Sequence, residues 1–370
     1  QTRHGVAPEP AQPASSSSNG SHASRSPESL TRKQLARNFA SDPPVGAVYH
    51  EVGAGNERLK HGLRCRGVDG IARLDPGAKL TASPALERWI NAGSFSTLLG
   101  HRIFTRTDLA PGKEPLLLIH GYPTASYDWH KVWPGLAERY SLVTLDLLGF
   151  GMSAKPPNAR YPIGLQADLC EALLQQHGIV QPHVLAHDYG DTVAQELLAR
   201  EREGRLRLAS VCFLNGGLFP ETHRARPIQK LLANPLLGPL LARVMGYSSF
   251  EKSMLAICGA NPPSRSELQD LWSLVERDGG RRALCRLIGY MEQRRLHRER
   301  WVGALVHSCV PRRLLCGAAD PVSGRHLAER YRELVPDADV VVFEGLGHYP
   351  QLEDDTAVLE AYVEFRCQAR

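Results

Sequence analysis

The feature that most constrains this chain is a series of short, wholly apolar runs, each ending at a glycine, histidine or aspartate and handing over to a segment of different period. "EPLLLIHG", "SLVTLDLLGFG", "HVLAHDYG", "RLASVCFLNGG", "RRLLCGAAD" and "ADVVVFEGLGH" are of this kind. A strand with one wet face alternates apolar and polar residues, whereas a run that is apolar throughout is covered on both faces. Between the runs, "YDWHKVWPGLAERY", "YPIGLQADLCEALLQQHGI" and "DTVAQELLARERE" have helical spacing, and "DTAVLEAYVEFRCQA" closes the chain as a helix. Buried strands alternating with amphipathic helices predict an α/β fold, a mostly parallel sheet with helices on both faces. "GSFSTLLGHRIFTRTD" alternates instead, and reads as a strand pair joined by a tight turn.

Composition shifts divide the 370 residues. Residues 1–45, rich in Ser, Pro and Ala, are expected to be a disordered tail. Residues 46–88 are an extension of uncertain structure. The α/β core is expected over 89–217 and 306–370. Residues 218–305 carry helical patterns and no buried-strand signal, and are expected to form a helical lid over the sheet. The net charge of +5 gives no case for nucleic acid. The densest basic stretch, residues 277–300, reads as the solvated side of helices; the other reading is contact with an anionic surface or ligand. The eight cysteines form no CxxC pair and no zinc-spaced cluster, so reduced thiols in a cytoplasmic type of compartment are expected. No apolar run approaches the roughly 18 residues of a membrane span.

In open parallel sheets ligands bind beyond the carboxyl ends of the strands. Those ends carry His120-Gly121-Tyr122-Pro123, His187-Asp188-Tyr189-Gly190, Asp320-Pro321 and His348. Corner residue, acid, then histidine is the chain order of the triad carried on strand-to-helix elbows, and Ala186 and Gly190 are the small flanks such an elbow needs. A serine at the corner would attack carbonyls. An aspartate there would form an anhydride with an ester, but it can displace oxygen or halide from a strained or activated saturated carbon, leaving an ester on the enzyme. Asp188 is therefore expected to be the nucleophile, His348 the base that activates water for ester hydrolysis, and Asp320 the group that orients the imidazole. Asp191 reads as a capping or dipole residue of the following helix, and Trp129 and Asp146 as loop supports.

The motifs "HGYPTASYDW", "DLLGFGMSAKP", "HDYGD" and "GHYPQLED" resemble those of the α/β-hydrolase superfamily over residues 89–366. "HDYGDTVAQELL", "NGGLFPETHR" and "RWVGAL" are similar to its mesoderm-specific transcript branch. The resemblance implies an eight-stranded type of sheet with a helical lid, and an oxyanion hole from the main-chain N–H groups of Tyr122 and Tyr189. By likeness to epoxide hydrolases it implies that lid tyrosines, Tyr290 and Tyr247, donate a proton to an opening epoxide. Haloalkane dehalogenases place Trp after the nucleophile, where this chain has Tyr189. The expected activity is thus cofactor-independent and metal-independent hydrolysis of a small apolar electrophile, epoxide hydrolase-like. Haloalkane or haloacid dehalogenation and a catalytically silent binding protein on the same fold stay open.

Overall fold

In the computed structural model, residues 82–368 are described. The expected tail and most of the expected extension lie outside them. A helix at Pro84–Asn91, started by Ser83, whose hydroxyl accepts from the Leu86 N–H, spans the boundary expected near residue 89.

Eight strands form one sheet: β1 Gly93–Leu98, β2 His101–Asp108, β3 Glu114–Ile119, β4 Tyr140–Leu145, β5 His183–His187, β6 Ser210–Leu214, β7 Arg312–Gly317 and β8 Asp339–Phe343. Their order is β1-β2-β4-β3-β5-β6-β7-β8. β1 pairs antiparallel with β2, and β2 antiparallel with β4. All other pairs are parallel. Leu116 to Ile119, Val184 to Ala186 and Val211 to Leu214 are fully buried, as continuous apolar runs require. β8 is only half-buried along its length, because it is the edge strand.

The expected helix in "YDWHKVWPGLAERY" is broken in two. A 3₁₀ turn at Ser126–Trp129 is followed by a short helix at Trp133–Ala137. Pro134 sits in the first turn of the second piece, where its missing N–H costs nothing and its ring would clash with a preceding turn.

Seven α-helices, from Pro227–Leu232 to Arg298–His307, and one 3₁₀ turn at Arg277–Gly279 lie between β6 and β7. The last of them is fastened to the helix Tyr189–Arg202 through Glu196, which accepts from Trp301 Nε1 at 2.8 Å, Arg300 Nε at 2.7 Å and Arg200 Nε at 2.8 Å. That attachment fixes the helical insertion against the element that begins at the β5 corner.

Candidate active site

Sheet register brings the strand ends together. Ile119 of β3 pairs with Ala186 of β5, so the segments carrying Tyr122 and Asp188 leave the sheet side by side. Asp188 turns the chain from β5 into the helix Tyr189–Arg202 with φ 46° and ψ −101°, a region that side chains rarely adopt. A Cβ at Gly190 would collide with the carbonyls of Ile119 and His120, which is why the elbow needs a glycine there.

Asp188 occupies the N-cap position, yet its side chain caps nothing. Aspartate is favoured at N-caps because its carboxylate accepts from the first-turn amides. Here Oδ2 instead accepts from the main-chain N–H of Tyr122 at 3.1 Å, across the sheet end. The carboxylate is therefore held out of the helix and faces the site.

His348 Nε2 lies 3.9 Å from Asp188 Oδ2, and its Nδ1 donates to Asp320 Oδ2 at 2.7 Å. Burial opposes charge on this ring, but Asp320, Asp188 and Glu353 outweigh it and lift His348 to about 9. Burial would also raise Asp320; the His348 charge and hydrogen bonds from Val322 N and Asn215 Nδ2 hold it below the usual carboxylate value. The loop bearing His348 is fixed by Glu353, which accepts from the N–H groups of Gly347, Gly259 and Tyr349. His187 Nε2 donates to the His348 carbonyl at 2.7 Å, and burial pushes its ring down to about 3, so it is neutral.

The Tyr189 ring is buried against Phe150 and Tyr290, with centroids 5.2 Å and 5.1 Å away. The Tyr290 ring is also 5.8 Å from that of Tyr122. Its hydroxyl is enclosed and held protonated by burial, with the Asp188 carboxylate the next influence on it. Tyr247 is elsewhere: its hydroxyl donates to Glu251 at 2.8 Å on a partly exposed helix, so the structure does not bring it to the cluster. Asp191 is buried in the first turn and accepts from Leu214 N at 3.4 Å, burial pushing its carboxyl well up. Asp146 accepts from the N–H groups of Ser126 and Met152, as a loop support does.

Sequence reasoning missed three side chains. Asn215, at φ 43° just after β6, bridges Gly317, Asp320 and Ser323 through its amide. Arg294 lies within the basic stretch read as a solvated face, yet it is buried. Its Nε donates to Thr192 Oγ1 at 2.7 Å and its Nη2 to the Asp188 carbonyl at 3.0 Å, while Nη2 lies 3.6 Å from Asp188 Oδ1. A Cβ at Gly217 would collide with this guanidinium. His223 has both ring nitrogens buried without a hydrogen-bond partner among the described residues. Burial, then the positive charges of Arg294 and His348, push it down to about 4.

A cavity of about 510 Å³ reaches this cluster, touching Tyr122 and His348 and walled by Leu232, Phe250, Met254 and Leu284. Its walls are mostly apolar, with Tyr122 and His348 among their polar members. That is the form of a small-molecule site.

A model of the alpha/beta hydrolase family matches residues 116–361. The chain belongs to the alpha/beta hydrolase family. This alpha/beta hydrolase is 42% identical over 295 residues to the human mesoderm-specific transcript homolog protein, covering 76% of this chain and 88% of the relative. It is 39% identical over 283 residues to "Putative hydrolase LipZ" of Mycobacterium tuberculosis, covering 75% and 97%. Among solved structures, a haloalkane dehalogenase loop variant from Bradyrhizobium elkanii superposes with TM-score 0.65 at 20% identity, over 75% of this chain and 96% of the other, a likeness of fold. Among the described residues of this hydrolase, no helix is long and apolar enough to cross a membrane.

Proposed function

We propose that this hydrolase opens a strained or activated C–O bond at a saturated carbon, epoxide-like, through a covalent ester on Asp188. The observation that carries the reading is the corner carboxylate itself: it leaves its helix uncapped and meets the Tyr122 N–H at 3.1 Å, with His348 Nε2 3.9 Å away.

With Oδ2 on the Tyr122 N–H, Oδ1 is the attacking oxygen. It forms a bond to the carbon as the ring C–O bond breaks, and the departing alkoxide takes the Tyr290 hydroxyl proton. The His348 imidazolium returns a proton to Tyr290. Esterification has removed the Asp188 charge, one of the causes that lift His348, so the neutral imidazole is free to act as base. It takes a proton from water as the oxygen attacks the ester carbonyl. Oδ2 then carries the tetrahedral oxyanion, already seated on the Tyr122 N–H, with the Tyr189 N–H the second donor by likeness to the family. One such donor contributes about 3–4 kcal/mol. Collapse releases the diol and restores the Asp188 carboxylate beside a protonated His348. The same covalent step would serve halide departure, but neither Tyr122 nor Tyr189 offers an indole N–H for the leaving ion, which favours the epoxide-type reading.

The experiment is incubation of His348→Ala protein with a panel of short epoxides and haloalkanes, followed by intact mass and peptide mapping. Removal of the base is expected to trap an adduct on Asp188 with epoxides. No adduct with either class refutes the covalent mechanism, and adducts with haloalkanes alone transfer the assignment to dehalogenation.

A further inference from the structure

Residues 222–250, which open the helical insertion, contain no acidic residue and four cations, Arg224, Arg226, Lys230 and Arg243. Within them the helix Leu237–Val244 is turned inside out. Its buried positions are Gly238 and Ala242, and its exposed ones are Leu237, Leu240 and Val244, the last two 60% and 72% exposed. Leu231 and Leu236, the latter 85% exposed, continue the same apolar surface. Isolated exposed leucines need no explanation, but a contiguous apolar patch does.

Two further observations say what covers it. The neighbouring hollow of about 460 Å³ is bordered by Lys155, Arg243, Arg282 and Arg286, with Asp278 its one acidic residue. The same stretch also walls the catalytic cavity through Ile228, Leu232 and Met245, and Arg226 and Lys252 stand on that cavity's lining. Exposed apolar side chains on a stretch that carries cations and no acid, and that also lines the cavity, match the interface of an anionic bilayer, where leucines enter the acyl boundary and cations meet phosphates. A second copy of the chain fits less well, since a two-fold contact would set these cations against themselves.

We propose that residues 231–244 dock the enzyme on an anionic phospholipid surface, and that the 510 Å³ cavity takes a lipophilic electrophile directly from that surface. The docking stands on the patch alone; the substrate class rests on the covalent reading above.

The test is cosedimentation of the full chain with vesicles of phosphatidylcholine, with and without phosphatidylserine. It compares wild type with Leu236→Glu/Leu240→Glu, two exposed positions outside the catalytic cavity, with a melting curve to show that the variant folds. The expected result is binding to phosphatidylserine vesicles that weakens with salt and falls at least about tenfold in the variant. Equal binding by the two proteins, or none by wild type, overturns the docking. A variant that changes only the oligomeric state in sedimentation velocity overturns it in favour of self-association. Trapping on Asp188 by a short, water-soluble epoxide in the His348→Ala background is the independent arm. Failure of docking with trapping intact leaves the chemistry standing, and the converse leaves the docking.

Discussion

Arg294 Nη2 donates to the main-chain carbonyl of Asp188 at 3.0 Å and lies 3.6 Å from the Oδ1 of the same residue, so one guanidinium from the helical insertion touches both the backbone and the carboxylate of the elbow. A buried cation there steadies the strained turn and holds Oδ1, the proposed attacking oxygen, in position. Arg294→Met keeps the bulk and removes both effects. A lost hydrogen bond from a charged group is worth about 1.5–3 kcal/mol. The rate of adduct formation in the His348→Ala background is therefore expected to drop roughly 10- to 100-fold. An unchanged rate measured by quenched-flow mass spectrometry would show that the guanidinium is only a strut.

The lifted His348 makes stability depend on pH. Its folded value of about 9 stands above the ordinary 6.5, so its protonation stabilises the fold fully below pH ~6.5 and that contribution fades as pH rises through about 9. His223 and His187, both pushed down, act on the other side, destabilising as pH falls below their ordinary value. Asp188→Asn removes one carboxylate that lifts the ring, so in that variant the His348 contribution should be smaller and its alkaline loss complete at lower pH. Urea midpoints collected across the neutral to alkaline range check it. Coincident profiles for the two proteins would mean that Asp188 does not charge the ring.

His223 is a neutral, enclosed imidazole with neither nitrogen paired among the described residues. Such a group costs stability until something fills its hydrogen bonds. His223→Leu should thus raise the melting temperature of the free enzyme while raising KM about 2- to 10-fold, one ordinary hydrogen bond's worth. If melting temperature and KM both stay put, the imidazole has no dealings with substrate.

The strand ends were legible because a buried run has to stop where its polar residue begins, and that junction is where the sheet presents its site. Asp188, Asp320, His348 and Tyr122 all stand at such junctions. Arg294 gave no such signal. Within "YMEQRRLHRER" several arginines compete, and only packing decides that Arg294 is buried while the neighbouring Arg295 is two-thirds exposed. His223 follows β6 in a stretch without regular structure, where no period can be read. Tyr290 is the first candidate and Tyr247 the second, and the insertion's folding separates them further: one is sealed against Tyr189, the other is hydrogen-bonded to Glu251 on its own helix. Short-range pattern thus announces what the sheet positions, and only tertiary contact announces what the insertion positions.

The glycine that lets Arg294 lie against the elbow carries a consequence for how such enzymes can be recombined. Gly217 belongs to the chain leaving β6 and Arg294 to the helix Tyr290–Leu296. A side chain at 217 would evict the guanidinium. The two positions therefore form a lock and key: a chimaera that imports a new insertion onto this sheet must bring a compatible pair across the splice, or the elbow arrives without its cation.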